Sequence, residues 1–268
     1  MRSRHPFAVQ AAIPVALLLA VMSLGGLLVP ATYALETPAW IDQAVGQDWF
    51  DLIVVVPWLA ICGIAGRGGS YRWGVLLAGS YAYTVYEGVI YAFAVHFNGF
   101  FLVYCATLGL AAFGLISQLG VLGQRGVSIP RRPARIAAAF LCGTGIVFAL
   151  LWLADVVPAS LRGRASPALV EVGLFTNPVH VLDLSFVLPA FLVTGVLLWR
   201  RQAAGFLYAP VLLAFGAVMA ASIAGMMVAI RIGGGVAPSA VIGLMLALAL
   251  GAIAAFVATA RKLVGAES

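Results

Sequence analysis

The stretch that decides the fold is Thr176–Arg201, TNPVHVLDLSFVLPAFLVTGVLLWRR. It is an apolar run long enough to cross a bilayer, yet it carries an acid, Asp183, in its first half. Thr176 or Asn177 offers a helix cap, Pro178 suits the first helical position, and Arg200-Arg201 close the run at the far interface. An earlier stretch echoes it: Asp51-Leu52-Ile53-Val54-Val55-Val56-Pro57 through Gly63 matches Asp183-Leu184-Ser185-Phe186-Val187-Leu188-Pro189 through Gly195.

The composition agrees with a membrane chain. Hydrophobic residues make up 63% of the 268 and charged residues 9%, with a mean hydropathy of +1.09. A soluble domain carries roughly 25% charged residues, so this chain lacks the polar surface a water-facing fold needs. The expected fold class is all-α: a polytopic integral membrane protein in a single transmembrane domain spanning 1–268. The net charge of +6 does not point to nucleic acid, because most arginines sit in short loops between apolar runs. Cys62, Cys105 and Cys142 fall inside apolar runs with no metal-ligand spacing and read as structural thiols.

Eight apolar runs can be marked: Ala8–Val29, Trp49–Ala65, Arg72–Phe97, Phe100–Leu122, Ile136–Val157, Pro178–Trp199, Gly205–Ile230 and Pro238–Ala260. The first has the flanks of a signal peptide, with Arg2, Arg4 and His5 before it and Ala31-Thr32-Tyr33-Ala34 after it. Its 22 apolar positions exceed the ~7–15 of such a region, so it reads as a span. With eight spans, twelve basic residues fall on the side of both termini and three, Arg162, Arg164 and Arg231, on the other, which places both termini in the cytoplasm. Glu36, Asp42, Asp48, Asp155 and Glu171 then lie in or beside outer loops, of which Pro30–Asp48 and Pro158–Asn177 are long. Tyr33, Trp40 and Trp49 suit the outer headgroup layer.

A shift of 132 residues aligns Asp51, Leu52, Val55, Pro57 and Gly63 with Asp183, Leu184, Val187, Pro189 and Gly195, and a shift one residue shorter aligns Gly74 with Gly205. The matched helices run the same way, so the pattern predicts a parallel duplication of two four-helix halves, 1–134 and 135–268.

Ionisable groups within a bilayer are costly and are usually paired or functional. In the third run, helical spacing places Ser80, Tyr83 or Thr84, Glu87, Tyr91 and Asn98 on one stripe, which must face protein or water. The stripe reads either as a polar knot that fixes helix packing or as a proton, cation or substrate site. His180 and Asp183 are three residues apart on one helix, the spacing at which an aspartate can orient an imidazole. Asp51 is the repeat mate of Asp183. For both acids the bland alternative is the favourable dipole of a helix N-terminus. Pro57 and Pro189 each free a carbonyl one turn earlier, a local break that transporters use for binding.

Together with His96, Asn98 and Tyr104, these groups cluster in the outer half of the bilayer and predict an outward-facing polar pocket. No metal or other cofactor is expected, since HxxxH and HExxH spacings are missing and His96 and His180 lie too near the interface for a bis-histidine haem. Lys262 lies at the end of the last run, which excludes a retinal Schiff base in the bundle; GxSxG, Walker A and GxGxxG motifs are also missing. Small residues recur at Gly216, Ala220, Ala224 and at Gly243, Ala247, Gly251, Ala255, a spacing that permits close helix approach within the chain or in a homo-oligomer through the Gly243 and Gly251 face.

Two stretches, Phe97-Asn98-Gly99-Phe100-Phe101-Leu102-Val103-Tyr104 and Leu182–Pro189 running on to Tyr208-Ala209-Pro210, resemble a family of uncharacterised bacterial multi-pass membrane proteins. The resemblance implies a bacterial inner membrane and weight on Asn98, Tyr104 and Asp183; it carries no activity. Three functions stay open. The first is small-molecule or ion transport or binding, with Glu87 and Asp183 as the working acids and Asp51 as helper. The second is a membrane-embedded enzyme on a lipid-like substrate, with His180 as base. The third is a non-catalytic membrane or sensory component that binds a partner through its outer loops.

Overall fold

The computed structural model describes residues 6–260; Arg2, Arg4, Arg261 and Lys262, which entered the charge count, and His5 lie outside them. The described residues form helices and connecting turns, with no β-strand. The helices are α1 Phe7–Leu28, α2 Pro38–Gly66, α3 Tyr71–Ala94, α4 Phe101–Gly123, α5 Arg131–Leu161, the short α6 Pro167–Val172, α7 Pro178–Trp199, α8 Ala203–Ile232 and α9 Ser239–Ala260. Seven of them are long and apolar enough to cross a membrane, so the chain has the build of a multi-pass membrane protein. α3 is the long helix left out of the seven, although its 24 residues give it the length. Ser80, Tyr81, Tyr83, Thr84, Tyr86, Glu87 and Tyr91 dilute its apolar content.

Helix starts follow local chemistry. At α7, the Asn177 side chain accepts from the backbone N–H groups of Val179 (2.9 Å) and His180 (3.2 Å), and Pro178 follows at the first position. Thr37 caps α2 in the same way, accepting from Trp40 N at 3.4 Å ahead of Pro38. This cap corrects the expectation of a long loop over Pro30–Asp48. That segment is a 3-10 turn, Pro30–Tyr33, followed by the first turns of α2, so Asp48 and Asp51 lie well inside a 29-residue helix. The other expected long loop is also partly helical, because α5 runs on to Leu161 and α6 follows.

The two echoed segments share one backbone feature. Asp51–Val55 in α2 and Asp183–Val187 in α7 are both π-helical, and each lies just ahead of its proline, Pro57 or Pro189. Proline lacks an N–H and its ring clashes with the carbonyl four residues earlier, here Ile53 and Ser185; widening that turn relieves the clash.

Packing repeats as well. α1 lies against α2 and α4 as α5 lies against α7 and α9, and α3 pairs with α4 as α8 pairs with α9. Between these halves α3 meets α8, α2 leans on α8, and the start of α7 leans on α3. α3 is thus enclosed by α2, α4, α7 and α8, which keeps its polar residues off the outer surface; Ser80, Tyr81 and Thr84 are fully buried. Large apolar side chains such as Leu102, Phe113, Ile116, Leu150 and Leu250 stand exposed on the outer helices, as a lipid-facing surface requires. Gly251 packs on the ring of Phe140 within the chain, whereas Gly243 faces open space.

The α3–α8 contact depends on Gly79, where a Cβ would lie 2.6 Å from the Cβ of Ala214 and 2.9 Å from the backbone nitrogen of Phe215. Gly79→Leu is expected to force the two helices apart and cost about 2–4 kcal/mol, on the scale of overpacked cores. Loss of the folded fraction in detergent thermal melts is the check.

Candidate functional site

The charged and polar side chains of the outer-expected half gather into three groups. The innermost joins α2, α3 and the turn before α2. Asp48, fully buried, accepts from the hydroxyls of Tyr33 (2.7 Å) and Tyr91 (2.8 Å). One turn on, Asp51 is also fully buried and accepts through Oδ1 from the Tyr83 hydroxyl at 2.7 Å and from the Gln47 amide at 3.0 Å. The same amide donates to the Tyr83 oxygen at 2.5 Å, and the Ser222 hydroxyl of α8 reaches Gln47 Oε1 at 3.5 Å. Glu87 stands one turn beyond Tyr83 on α3, 4% exposed, with its carboxyl beside that of Asp51.

Accounting for donors separates these acids. Both oxygens of Asp48 are satisfied. Oδ2 of Asp51 and both carboxyl oxygens of Glu87 are buried with no partner other than each other, the two carboxyls lying within reach of one shared proton, and no arginine or lysine among the described residues pairs with any of the three acids. An unpaired buried carboxylate is expensive, so charge balance here calls for a proton or a cation from outside the protein's own side chains.

Beside Glu87 lies a cavity of about 130 Å³ between α2, α3, the start of α7 and α8. Its walls include Trp40, Gln47, Tyr83, Tyr86, Met219 and Ser222.

The second group forms a rim. His96 donates from its backbone N–H to Glu36 Oε1 (2.6 Å) and places Nδ1 3.0 Å from the same oxygen, with its ring half exposed and Glu36 buried. The Asn98 amide donates to the Thr32 carbonyl (3.1 Å) and to the Tyr104 hydroxyl (3.2 Å), while its Oδ1 accepts from Phe100 N (2.8 Å). Tyr104 packs edge-on to Tyr91 with ring centroids 5.5 Å apart, which links the rim to Asp48. Burial, then the charge of Asp48 and the hydrogen bond to it, push the Tyr33 hydroxyl above the ordinary tyrosine range, so it stays a donor.

The third group joins α5, the start of α7 and Tyr86 of α3. Asp183 accepts from the Trp152 indole at 2.7 Å and lies beside the Tyr86 hydroxyl. His180 stacks on Trp152 at 4.6 Å between centroids and sets Nδ1 4.0 Å from Asp155. His180 and Asp183 therefore share a helix without sharing a hydrogen bond: the indole holds the acid and draws the imidazole toward α5.

Of the residues expected to converge, Glu87, Asp51, Tyr83 and Tyr91 do so; His96, Asn98 and Tyr104 form the rim above them; Asp183 and His180 stand apart. Sequence reasoning missed Asp48, Gln47, Tyr33, Glu36, Trp152 and Ser222 as members of these groups. The signal for the first two was present: Thr37-Pro38 is a helix start, and Ala44, Gln47, Asp48, Asp51 and Val55 keep helical spacing from it. Tyr33 and Trp40 are buried within the protein, the Trp40 indole donating to the Ala94 carbonyl at 3.0 Å, while Trp49 is exposed. Among the described residues no three His, Cys, Asp or Glu side chains gather into a metal-holding group.

Comparison of the chain with protein-family models, with curated proteins and with solved structures finds no match.

Asp48 is held by α1 as well as by its tyrosines, since any side chain at Gly26 would collide with its carboxyl. Asp48→Ala leaves two buried tyrosine hydroxyls without an acceptor and is expected to cost about 1–3 kcal/mol. Gly26→Ala should cost a similar amount by displacing the same carboxyl. Both are read by thermal unfolding of the detergent-solubilised protein, with Asp42→Ala, remote from the tyrosines, as the reference.

Proposed function

We propose that this is a membrane translocation or binding protein whose working element is the Asp51–Glu87 carboxyl pair, which takes up and releases a proton or a small cation. The observation that carries the reading is Glu87 itself: 4% exposed, on the helix at the centre of the bundle, with both carboxyl oxygens lacking a partner beyond Asp51. A carboxyl that served only to fix packing would be satisfied, as Asp48 is by two tyrosines. In this reading Asp51 and Tyr83 hold the pair in register, and the Asp48, Tyr91, Tyr104, Asn98 series connects it to the rim. Buried polar residues of this kind mark ion and proton pathways in membrane proteins.

The same proposal has α3 cross the membrane as an eighth span, with both termini in the cytoplasm, the rim facing outward and the chain in a bacterial inner membrane. The two halves descend from a parallel duplication, which the paired π-helical segments and the matching helix contacts support. The enzyme reading draws no support from His180, which faces Asp155 rather than Asp183.

Infrared difference spectroscopy on a pH jump tests the site directly. Wild-type protein in lipid should show a buried protonated-carboxyl band that appears and disappears with pH, and Glu87→Gln should remove most of it while leaving the fold intact. Asp51→Asn should shift the remaining band, because the two groups titrate as a pair. A wild-type spectrum without such a band, or one that Glu87→Gln leaves unchanged, would sink the proposal.

A further inference from the structure

The cavity beside Glu87 has a wall chemistry that specifies its occupant more narrowly than a charge count does. Nearly every donor on that wall is committed elsewhere. The Trp40 indole donates to the Ala94 carbonyl, Gln43 to the Ala39 carbonyl, Gln47 to Asp51 and Tyr83, Tyr83 to Asp51, Tyr91 to Asp48, and Ser222 to the Met219 carbonyl. The Tyr86 hydroxyl lies at Asp183. What lines the space is Glu87, its carboxyl buried against Asp51, with the rings of Trp40, Tyr83, Tyr86 and Tyr91 and the thioethers of Met219 and Met226.

An acceptor without a donor asks the ligand to bring the donor, and a carboxyl with no basic partner asks it to bring positive charge. Aromatic faces attract a cation further, most strongly where water is excluded. The volume of about 130 Å³ is roughly four times the ~30 Å³ share of a liquid water, too roomy for a bare inorganic ion. Ile90, Val95, Val179 and Ile223 complete the lining and suit an alkyl body.

We propose that this cavity binds a compact organic cation, an alkylammonium with its charged head on Glu87 and its carbon groups against the aromatic and methionine walls. The inference rests on the reading of Glu87 given above and adds the class of ligand. Facing Glu87 are Asp51 from α2 and Tyr83 from α3, with Asp48 behind them; α8 and the start of α7 present no ionisable side chain to the cavity. An ammonium ion and a proton therefore compete for one acid.

The probes are trimethylammonium and ethylammonium, with potassium and tert-butanol as controls for charge without alkyl groups and for shape without charge. Binding is followed by calorimetry and tryptophan fluorescence on the purified full chain in nanodiscs. At least one ammonium should bind saturably at millimolar concentration, with potassium and tert-butanol both silent. Glu87→Gln should weaken it about tenfold or more. Ile223→Trp, which places an indole in the cavity from α8, should abolish it, whereas Asp183→Asn should leave it unchanged. Each variant is admitted only if its melting curve and elution volume match the wild type. Absence of ammonium binding, equal binding of tert-butanol or potassium, or indifference to both Glu87→Gln and Ile223→Trp overturns the inference. If the pH-dependent carboxyl band is present but no ammonium binds, only the ligand assignment falls. If ammonium binds through Glu87 but no such band exists, it is the proton site that falls.

Discussion

The structure depends on one constraint: a helix with seven polar side chains between positions 80 and 91 has to run through an apolar bundle. In α3, Ser80, Tyr81, Tyr83, Thr84, Tyr86, Glu87 and Tyr91 cannot face lipid, where each unsatisfied group costs several kcal/mol. The chain meets this by surrounding α3 with α2, α4, α7 and α8. Gly79 and Gly88 let α8 and α4 come close enough to seal it. The arrangement also explains how the long helix left out of the seven can be the most buried one. Hydropathy reports what a helix shows to its surroundings, and α3 shows little to lipid.

Within that shelter the acids behave differently because their neighbours do. Asp48 lies among donors, Tyr33 and Tyr91, and a glycine at position 26 leaves it room. It is a structural acceptor, and the tyrosine hydroxyls that serve it are committed to it. Asp51 spends one oxygen on Tyr83 and Gln47 and leaves the other to Glu87, whose carboxyl has no further partner. Along a few ångströms the site passes from satisfied to unsatisfied, and the unsatisfied end borders the cavity. A fold selected for stability alone would have placed a donor or an apolar residue there, and that contrast with Asp48 is what the proposed function rests on.

How much of this was legible in the sequence follows from which interactions are local. The Glu87 stripe is a property of one helix and could be read from spacing. The start of α7 at Asn177-Pro178 and the echo of Asp51–Pro57 in Asp183–Pro189 are likewise local. Asp48 was read as a loop residue because Asp42, Gly46, Gln47 and Asp48 interrupt the apolar run; what makes that segment helical is the Thr37 cap and packing on α8, and the packing is not written in the segment. The pairing of His180 was misjudged for a similar reason. Spacing on α7 brings it to the side of Asp183, but the ring goes where Trp152 and Asp155 of α5 draw it. Convergence of side chains from different helices depends on how the halves meet, and no periodicity within one helix encodes that.

The duplication proposed for the two halves gives the site its last explanation. The offset that pairs Gly74 with Gly205 also pairs Tyr83 with Ala214, Glu87 with Val218 and Tyr91 with Ser222. α8 is then an α3 stripped of its acid and its tyrosines. Two copies that each kept the stripe would have pressed two sets of buried carboxyls together across the α3–α8 contact, with like charges in a dry interface and no room between them. The small side chain of Ala214 fits beside Gly79, and that of Ser222 opens the wall opposite Glu87. On that proposal the π-helical segments recur in both halves because they follow from a proline and its preceding turn, a cost and a remedy internal to one helix, whereas the acid cluster, which needs α2 and α3 together, occurs once. Asp183, with no glutamate at the position that would match Glu87, accepts from an indole and stands half-buried.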